Sequence, residues 1–182
     1  MSTLHEIVIK LSTTKAILLI VGSLAFVGVG VYLTSIDPIQ IEEHRRFNNP
    51  LFVYGIGWAS ILIFGLSCLY HIRKLFDKKP GLTFNSTGII DNSSGIAAGL
   101  IPWNDIKGFN IYEVNKQKML VISLNNPNKY IEMGNLFKRA LNRANYKMCG
   151  SPLSITPNSL QINFDELIEI TNKYFNEYAK QT

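Results

Sequence analysis

The chain has 182 residues, 47% of them apolar, and a formal net charge of +5. That length leaves room for one compact domain beside a helical hairpin. The charge surplus is thin, with 8 Lys/Arg against 5 Asp/Glu up to Lys79 and 10 against 8 from Pro80 onward, which argues against the dense basic stripe of a nucleic-acid binder. The two cysteines, Cys68 and Cys149, form no Cys-x-x-Cys and read as reduced and inert thiols, which suits a cytoplasmic-facing domain.

Two charge-free runs come first in chain order, Ala16 to Ile36 and Phe47 to Tyr70. A helix rises 1.5 Å per residue, so about 20 apolar residues cross a hydrocarbon core of about 30 Å. The runs predict spans over about 16–36 and 49–72, within an N-terminal hairpin of residues 1–79. The first run is too long for a signal-peptide core and no Ala-x-Ala follows it, so it reads as an uncleaved helix. Lys and Arg stay on the cytoplasmic side. Lys10, Lys15, Arg73, Lys74, Lys78 and Lys79 flank the hairpin's two ends, against Arg45 and Arg46 between the spans. Both termini are therefore expected on the cytoplasmic side. Tyr32, Tyr54 and Tyr70 are placed near interfaces, whereas Trp58 sits too deep and is expected to pack on the other helix. Gly55 and Ala59, with Gly22, Gly28 and Gly30 on the first run, allow close backbone approach. The ordinary reading is contact within the hairpin, and the alternative is a homo-oligomer interface. Neither span carries Asp, Glu, Lys or Arg, so an anchor is expected rather than a transport path.

Lys78-Lys79-Pro80-Gly81 breaks the pattern and opens a second domain over 80–182. Leu82-Thr83-Phe84 and Gly88-Ile89-Ile90-Asp91 flank the turn Asn85-Ser86-Thr87 as a hairpin. After the loop Asn92–Gly95, extended segments are expected at Gly99–Trp103, Phe109–Val114 and Lys118–Leu124, with Tyr130-Ile131-Glu132 as a short return. Asn135 then caps a helix whose Leu136, Phe137, Ala140, Leu141 and Ala144 make one apolar stripe, ended by Gly150. Leu153-Ser154-Ile155 reads as extended. Asn163 and Glu166 form a capping box for a last helix that faces the core with Leu167, Ile168, Thr171, Tyr174, Phe175 and Tyr178. Several antiparallel strands followed by helices predict an α+β domain. The run of hairpins closed by an amphipathic helix is similar to a pleckstrin-homology-like (PH-like) arrangement.

Gly88-Ile89-Ile90-Asp91-Asn92-Ser93-Ser94, Ile101-x-Trp103-x-Asp105-Ile106, Asn126-Pro127-x-x-Tyr130-Ile131 and Gly150-Ser151-Pro152-Leu153-x-Ile155 occur in that order. This set resembles a family of uncharacterised bacterial inner-membrane proteins with two N-terminal spans and a cytoplasmic PH-like domain. The resemblance implies that architecture and brings no catalytic residue with it.

The residues themselves offer little chemistry. His5, His44 and His71 all precede the second domain, which removes the usual general base and the commonest metal ligand from it. Metal-ligand spacing is absent. Asp91, Asp105 and Glu113 are the acids that pairing would need, and the first two lie near turns, where Asp ordinarily bonds local amides. Gly88–Gly99 lacks a phosphate-loop pattern and reads as a hairpin loop, and Trp103 reads as a core plug. No catalytic residue, cofactor or metal is expected. One feature points to a surface. Arg139, Arg143 and Lys147 recur every four residues beside Lys138, with no acid from Gly134 to Ser151. With Arg73, Lys74, Lys78 and Lys79 they form a candidate contact set for anionic lipid or a protein partner; the plain alternative is a solvated face. The function expected is a membrane-anchored, non-catalytic interaction module. The second expectation is an immunity-type protein that blocks a toxin or bacteriocin at the membrane.

Overall fold

The computed structural model describes residues 4–43, 47–95 and 97–178. They form a mixed α+β structure in two compact units. One is helical, Thr13–Lys78; the other combines the segment ahead of Thr13 with everything described from Lys79 onward.

The helical unit contains α1 (Thr13–Ser35), α2 (Pro38–Glu42) and α3 (Pro50–Leu75). Both long helices are long and apolar enough to cross a membrane, with mean hydropathies of 2.5 and 1.9. Each begins or ends within three residues of its expected bounds. Asn49 caps α3 through the Phe52 amide, with Pro50 in the first turn, where its missing N–H costs nothing. The buried residues of these helices are small or few: Ser23 and Gly30 on α1, and Val53, Gly57 and Cys68 on α3. Large apolar side chains such as Leu18, Leu51, Leu62 and Leu66 point outward.

The two helices meet through small residues, though not the pair read from the sequence. A Cβ on Gly30 would lie 2.7 Å from the Gly57 carbonyl oxygen, and one on Gly57 would lie 2.7 Å from Thr34 Cγ2. Gly22, Gly28 and Gly55 face open space instead. Around this contact Ser60 donates to the Phe26 carbonyl at 2.9 Å, Ser23 donates to Ser67 at 3.3 Å, and Phe26 stacks on Phe64 with ring centroids 4.3 Å apart. Tyr54 donates to the Ile36 carbonyl at 2.8 Å, closing the end of α1. Trp58, expected against the other helix, is 59% exposed and faces outward. Arg45 and Arg46, used in the charge tally, lie outside the described residues, as does His44.

The sheet unit begins before α1. β1 (Ile7–Ile9), β2 (Leu82–Asn85), β3 (Gly88–Asp91) and β4 (Gly99–Pro102) form an antiparallel meander in that order. β1 is the finding the sequence reading missed. Ile7, Val8 and Ile9 lie opposite Phe84, Thr83 and Leu82. The residues that follow are held on a second side, where Gln161 donates to the Lys10 carbonyl and Ser12 donates to the Ser159 carbonyl, at 2.9 and 2.8 Å. The N-terminal stretch, expected with the hairpin, therefore belongs to the sheet. The β-branched triplet satisfies the otherwise open edge of β2.

A second antiparallel sheet contains β5 (Ile106–Val114), β6 (Gln117–Leu124) and β7 (Ser154–Ile155). Asn115 and Lys116 both take positive φ, the conformation of a two-residue hairpin turn that follows strand twist. Between β6 and β7 lie α4 (Pro127–Ile131) and α5 (Leu136–Cys149), and α6 (Phe164–Tyr178) closes the chain. Tyr130 and Ile131, expected as a return strand, are helical. Asn126 accepts from the Lys129 amide and Pro127 opens the turn, so the chain coils instead of extending.

The α6 capping box forms as expected. Glu166 N–H donates to Asn163 Oδ1 at 2.9 Å, and Asn163 N–H donates to Glu166 Oε2 at 3.0 Å. Leu167, Thr171 and Tyr174 are buried, with Ile168, Phe175 and Tyr178 packed at the margin. One apolar core joins both sheets and α6: Ile9, Leu82, Phe84, Ile89 and Ile101 from the first sheet, and Ile106, Leu120, Ile122 and Ile155 from the second. Trp103 plugs it, as expected. Its indole N–H donates to the Asn85 carbonyl at 2.9 Å, and its ring lies against Tyr174, Phe175 and Tyr178.

Candidate functional site

Of the three acids considered for catalysis, Asp91 and Asp105 are engaged in structural bonds, and Glu113 lies exposed on β5. Asp91 accepts from the Ser93 amide at 2.8 Å and the Ser93 hydroxyl at 2.6 Å, the local turn its position predicts. Asp105 differs: its partners are distant, Lys129 Nζ and the Tyr130 hydroxyl, each at 2.6 Å. The Lys129 bond, then the Tyr130 bond, hold the Asp105 carboxyl below the usual carboxylate range. Burial, reinforced by Asp105, pushes the Tyr130 phenol upward. This cluster ties α4 to the turn ahead of β5. His5, assigned by sequence to the hairpin side, sits in the sheet unit, where its carbonyl accepts from the Tyr174 hydroxyl. Among the described residues, no group of three or more His, Cys, Asp or Glu side chains is placed to hold a metal ion.

The basic residues fall in both units. Arg73, Lys74 and Lys78 belong to the helical unit, where Lys74 pairs with Asp77 at 2.9 Å. Lys79, Lys138, Arg139, Arg143 and Lys147 belong to the sheet unit. On α5 the stripe is less free than its sequence implied. Arg143 pairs with Glu132 at 2.5 Å and Arg139 pairs with the same carboxylate at 3.5 Å. Arg143, then the charge of Arg139, hold the Glu132 carboxyl below its usual range. Glu132 was missed because it lies just ahead of the helix. Lys138 turns away from the others and donates to the Ala97 carbonyl at 2.7 Å.

The orientation of α5 is the main surprise. Its apolar stripe, which an amphipathic helix ordinarily turns toward the core, mostly faces out, with Leu141 half-buried. Leu136 is 84% exposed, Phe137 72% and Met148 50%, and Ala140 and Ala144 are exposed between them. The buried face is polar. Asn142 donates to the Tyr130 carbonyl at 2.7 Å, and Asn145 donates to the Pro152 carbonyl and the Ser154 hydroxyl, each at 3.1 Å. The reason lies beneath the helix. The chain around α4 and Pro152 presents backbone carbonyls to the helix, and two asparagines one turn apart donate to them; the Tyr130 carbonyl also accepts from the Met133 amide at 3.3 Å. Leaving a Leu, a Phe and a Met in water forgoes about 1.5–3 kcal/mol each. A contiguous patch of this kind marks a contact surface more than scattered exposure does.

This inversion has a direct consequence for stability. Asn142→Ala removes a buried hydrogen bond, leaving the Tyr130 carbonyl only the Met133 amide, and lowers unfolding free energy by about 0.5–1.5 kcal/mol. Leu136→Glu and Phe137→Glu change it by no more than about 0.5 kcal/mol. Urea unfolding of the full chain in detergent, followed by far-ultraviolet circular dichroism, measures both; the opposite ranking would mean the stripe is buried.

A second exposed apolar surface lies on α3, an open groove lined by Asn49, Leu51, Phe52, Gly55, Ile56 and Ala59. It is the small-residue pair expected inside the hairpin, here facing away from α1. Comparison with protein-family models, with curated proteins and with solved structures finds no match to this chain.

Proposed function

We propose that α1 and α3 cross a bacterial inner membrane as a hairpin, and that the sheet unit is a non-catalytic binding module at its cytoplasmic face. The observation that carries this reading is the pairing of β1 with β2. The chain leaves one sheet, runs through two long apolar helices and returns to the adjacent strand. A polypeptide that does so across a bilayer must emerge on the side it left. The outward apolar side chains of both helices support lipid as their solvent, because a soluble protein buries such residues. The flanking Lys10, Lys15, Arg73, Lys74, Lys78 and Lys79 support the cytoplasmic side for that sheet.

The strand plan supports a PH-like reading of the module: four antiparallel strands, then three, then a C-terminal helix. The departure is α4 and α5, which stand between β6 and β7. The module binds the inner leaflet or a protein partner at it, and its carboxylates serve the fold. Alkaline carbonate is expected to leave the full chain in the membrane pellet. Chain extracted with its surrounding lipid is expected to retain excess anionic lipid or a stoichiometric protein. Release by carbonate, or extraction with neither, overturns the reading.

A further inference from the structure

We propose that α5 is an interfacial helix that lays its outward apolar stripe into the headgroup region of an anionic bilayer. This rests on the membrane-anchored reading above and names the ligand of the module: the leaflet itself. Three observations on one helix combine. Leu136, Phe137 and Met148 project outward with Ala140 and Ala144 between them. Arg143 and Lys147 run alongside at helical spacing, and the Arg143 side chain is 59% exposed. α5 has no acidic residue, and the neighbouring carboxylate of Glu132 is occupied by Arg139 and Arg143. An exposed apolar face bordered by cations is what a helix lying in a lipid interface requires.

The opposite face explains why this helix is free to do so. Asn142, Asn145 and Lys138 fasten it to the sheet unit through backbone carbonyls, with Leu141 half-buried at the margin, so the outward side chains of the stripe are not needed for attachment. Asn135 caps its start and Gly150, at φ +80°, ends it cleanly, so its fourteen residues form a rigid rod. The charge pattern favours lipid over a second copy. Arg139 and Arg143 share the single carboxylate of Glu132, so with Lys147 the helix keeps a positive surplus that an isologous contact sets near its own image and that anionic headgroups neutralise. A tether that keeps the module near the leaflet raises the effective concentration, so shallow burial of a short helix suffices.

The test uses the full chain, with Cys68→Ala and Cys149→Ala, in nanodiscs of phosphatidylglycerol and phosphatidylcholine. An environment-sensitive fluorophore is placed at Ala144→Cys, at Lys116→Cys in the β5–β6 turn, or at Leu62→Cys on the outer face of α3. The proposal expects blue-shifted emission at 144 with quenching by lipids nitroxide-labelled near the headgroup, and neither at 116. Leu136→Glu with Phe137→Glu abolishes the quenching at 144, and Lys147→Gln lowers the docked-to-undocked ratio about fivefold. Water-like emission at 144 overturns the proposal. A blue shift at 144 that lipid nitroxides do not quench and that grows with protein concentration also overturns it, in favour of a second copy. Quenching at 62 by nitroxides deep in the acyl chains reports the anchor separately. If 62 is quenched and 144 is not, the interfacial helix fails while the anchor stands; if 62 is not quenched, the anchor fails.

Discussion

Trp103→Ala is expected to remove about 3–5 kcal/mol of stability, the range for emptying an aromatic site in a packed core. Trp103 is 3% exposed and stands where both sheets and α6 converge. Its loss leaves a cavity against Tyr174 and Phe175 and strands the Asn85 carbonyl that the indole N–H satisfies. A domain of this size is ordinarily stable by about 5–15 kcal/mol, so the variant forfeits a large share. Trp103→Phe keeps most of the packing and loses the bond, a smaller cost of about 1–3 kcal/mol. Urea unfolding followed by circular dichroism avoids dependence on the deleted fluorophore. A loss under about 1 kcal/mol for the alanine variant would mean that the indole is not the plug described.

Gly57→Leu is expected to break the pairing of α1 with α3. A Cβ at this position meets Thr34 Cγ2 at 2.7 Å, the Gly30 carbonyl oxygen at 3.0 Å and Leu33 Cβ at 3.3 Å. Two of those three atoms belong to side chains of one helix turn and the third is backbone, so the helices must separate. Overpacking of this kind costs about 1–3 kcal/mol. Separation also pulls Ser60 from the Phe26 carbonyl and Ser23 from Ser67. In the proposed membrane setting lipid provides no hydrophobic drive between helices, so close packing and these bonds carry the association. Gly55→Leu is the control, since a Cβ there meets nothing within 4 Å. In the Cys68→Ala, Cys149→Ala background, Ser23→Cys with Ser67→Cys reports the pairing by oxidative cross-linking in membranes. Cross-linking falls severalfold with Gly57→Leu and holds with Gly55→Leu. Equal cross-linking in both would contradict the observed contact.

Features with strong local signals were readable from the sequence. The two apolar runs need only length and composition. The Asn163–Glu166 box announces α6, and the Asn85-Ser86-Thr87 turn announces the β2–β3 hairpin. What failed needed knowledge of distant partners. Ile7–Ile9 is three residues long, and nothing local says that its mate lies beyond two helices. Tyr130 and Ile131 favour extension alone, but Asn126 and Pro127 start a helix ahead of them. The stripe of α5 has clean helical spacing, yet the direction of an amphipathic helix depends on what it is laid against. Here the Tyr130 and Pro152 carbonyls take asparagine donors, and most of the apolar side turns outward. The basic face was visible, but its neutralisation by Glu132 depends on how the chain enters the helix.

The proposed hairpin departs from a sheet, crosses a bilayer twice and rejoins the same sheet. Labelling with a membrane-impermeant maleimide in intact spheroplasts tests this directly, using single cysteines in the Cys68→Ala, Cys149→Ala background. Gln40→Cys, in α2 between the long helices, should react from outside, while Val8→Cys in β1 and Lys116→Cys in the β5–β6 turn react only after lysis. Reaction of Val8→Cys in intact spheroplasts, or equal protection of all three positions, would contradict it.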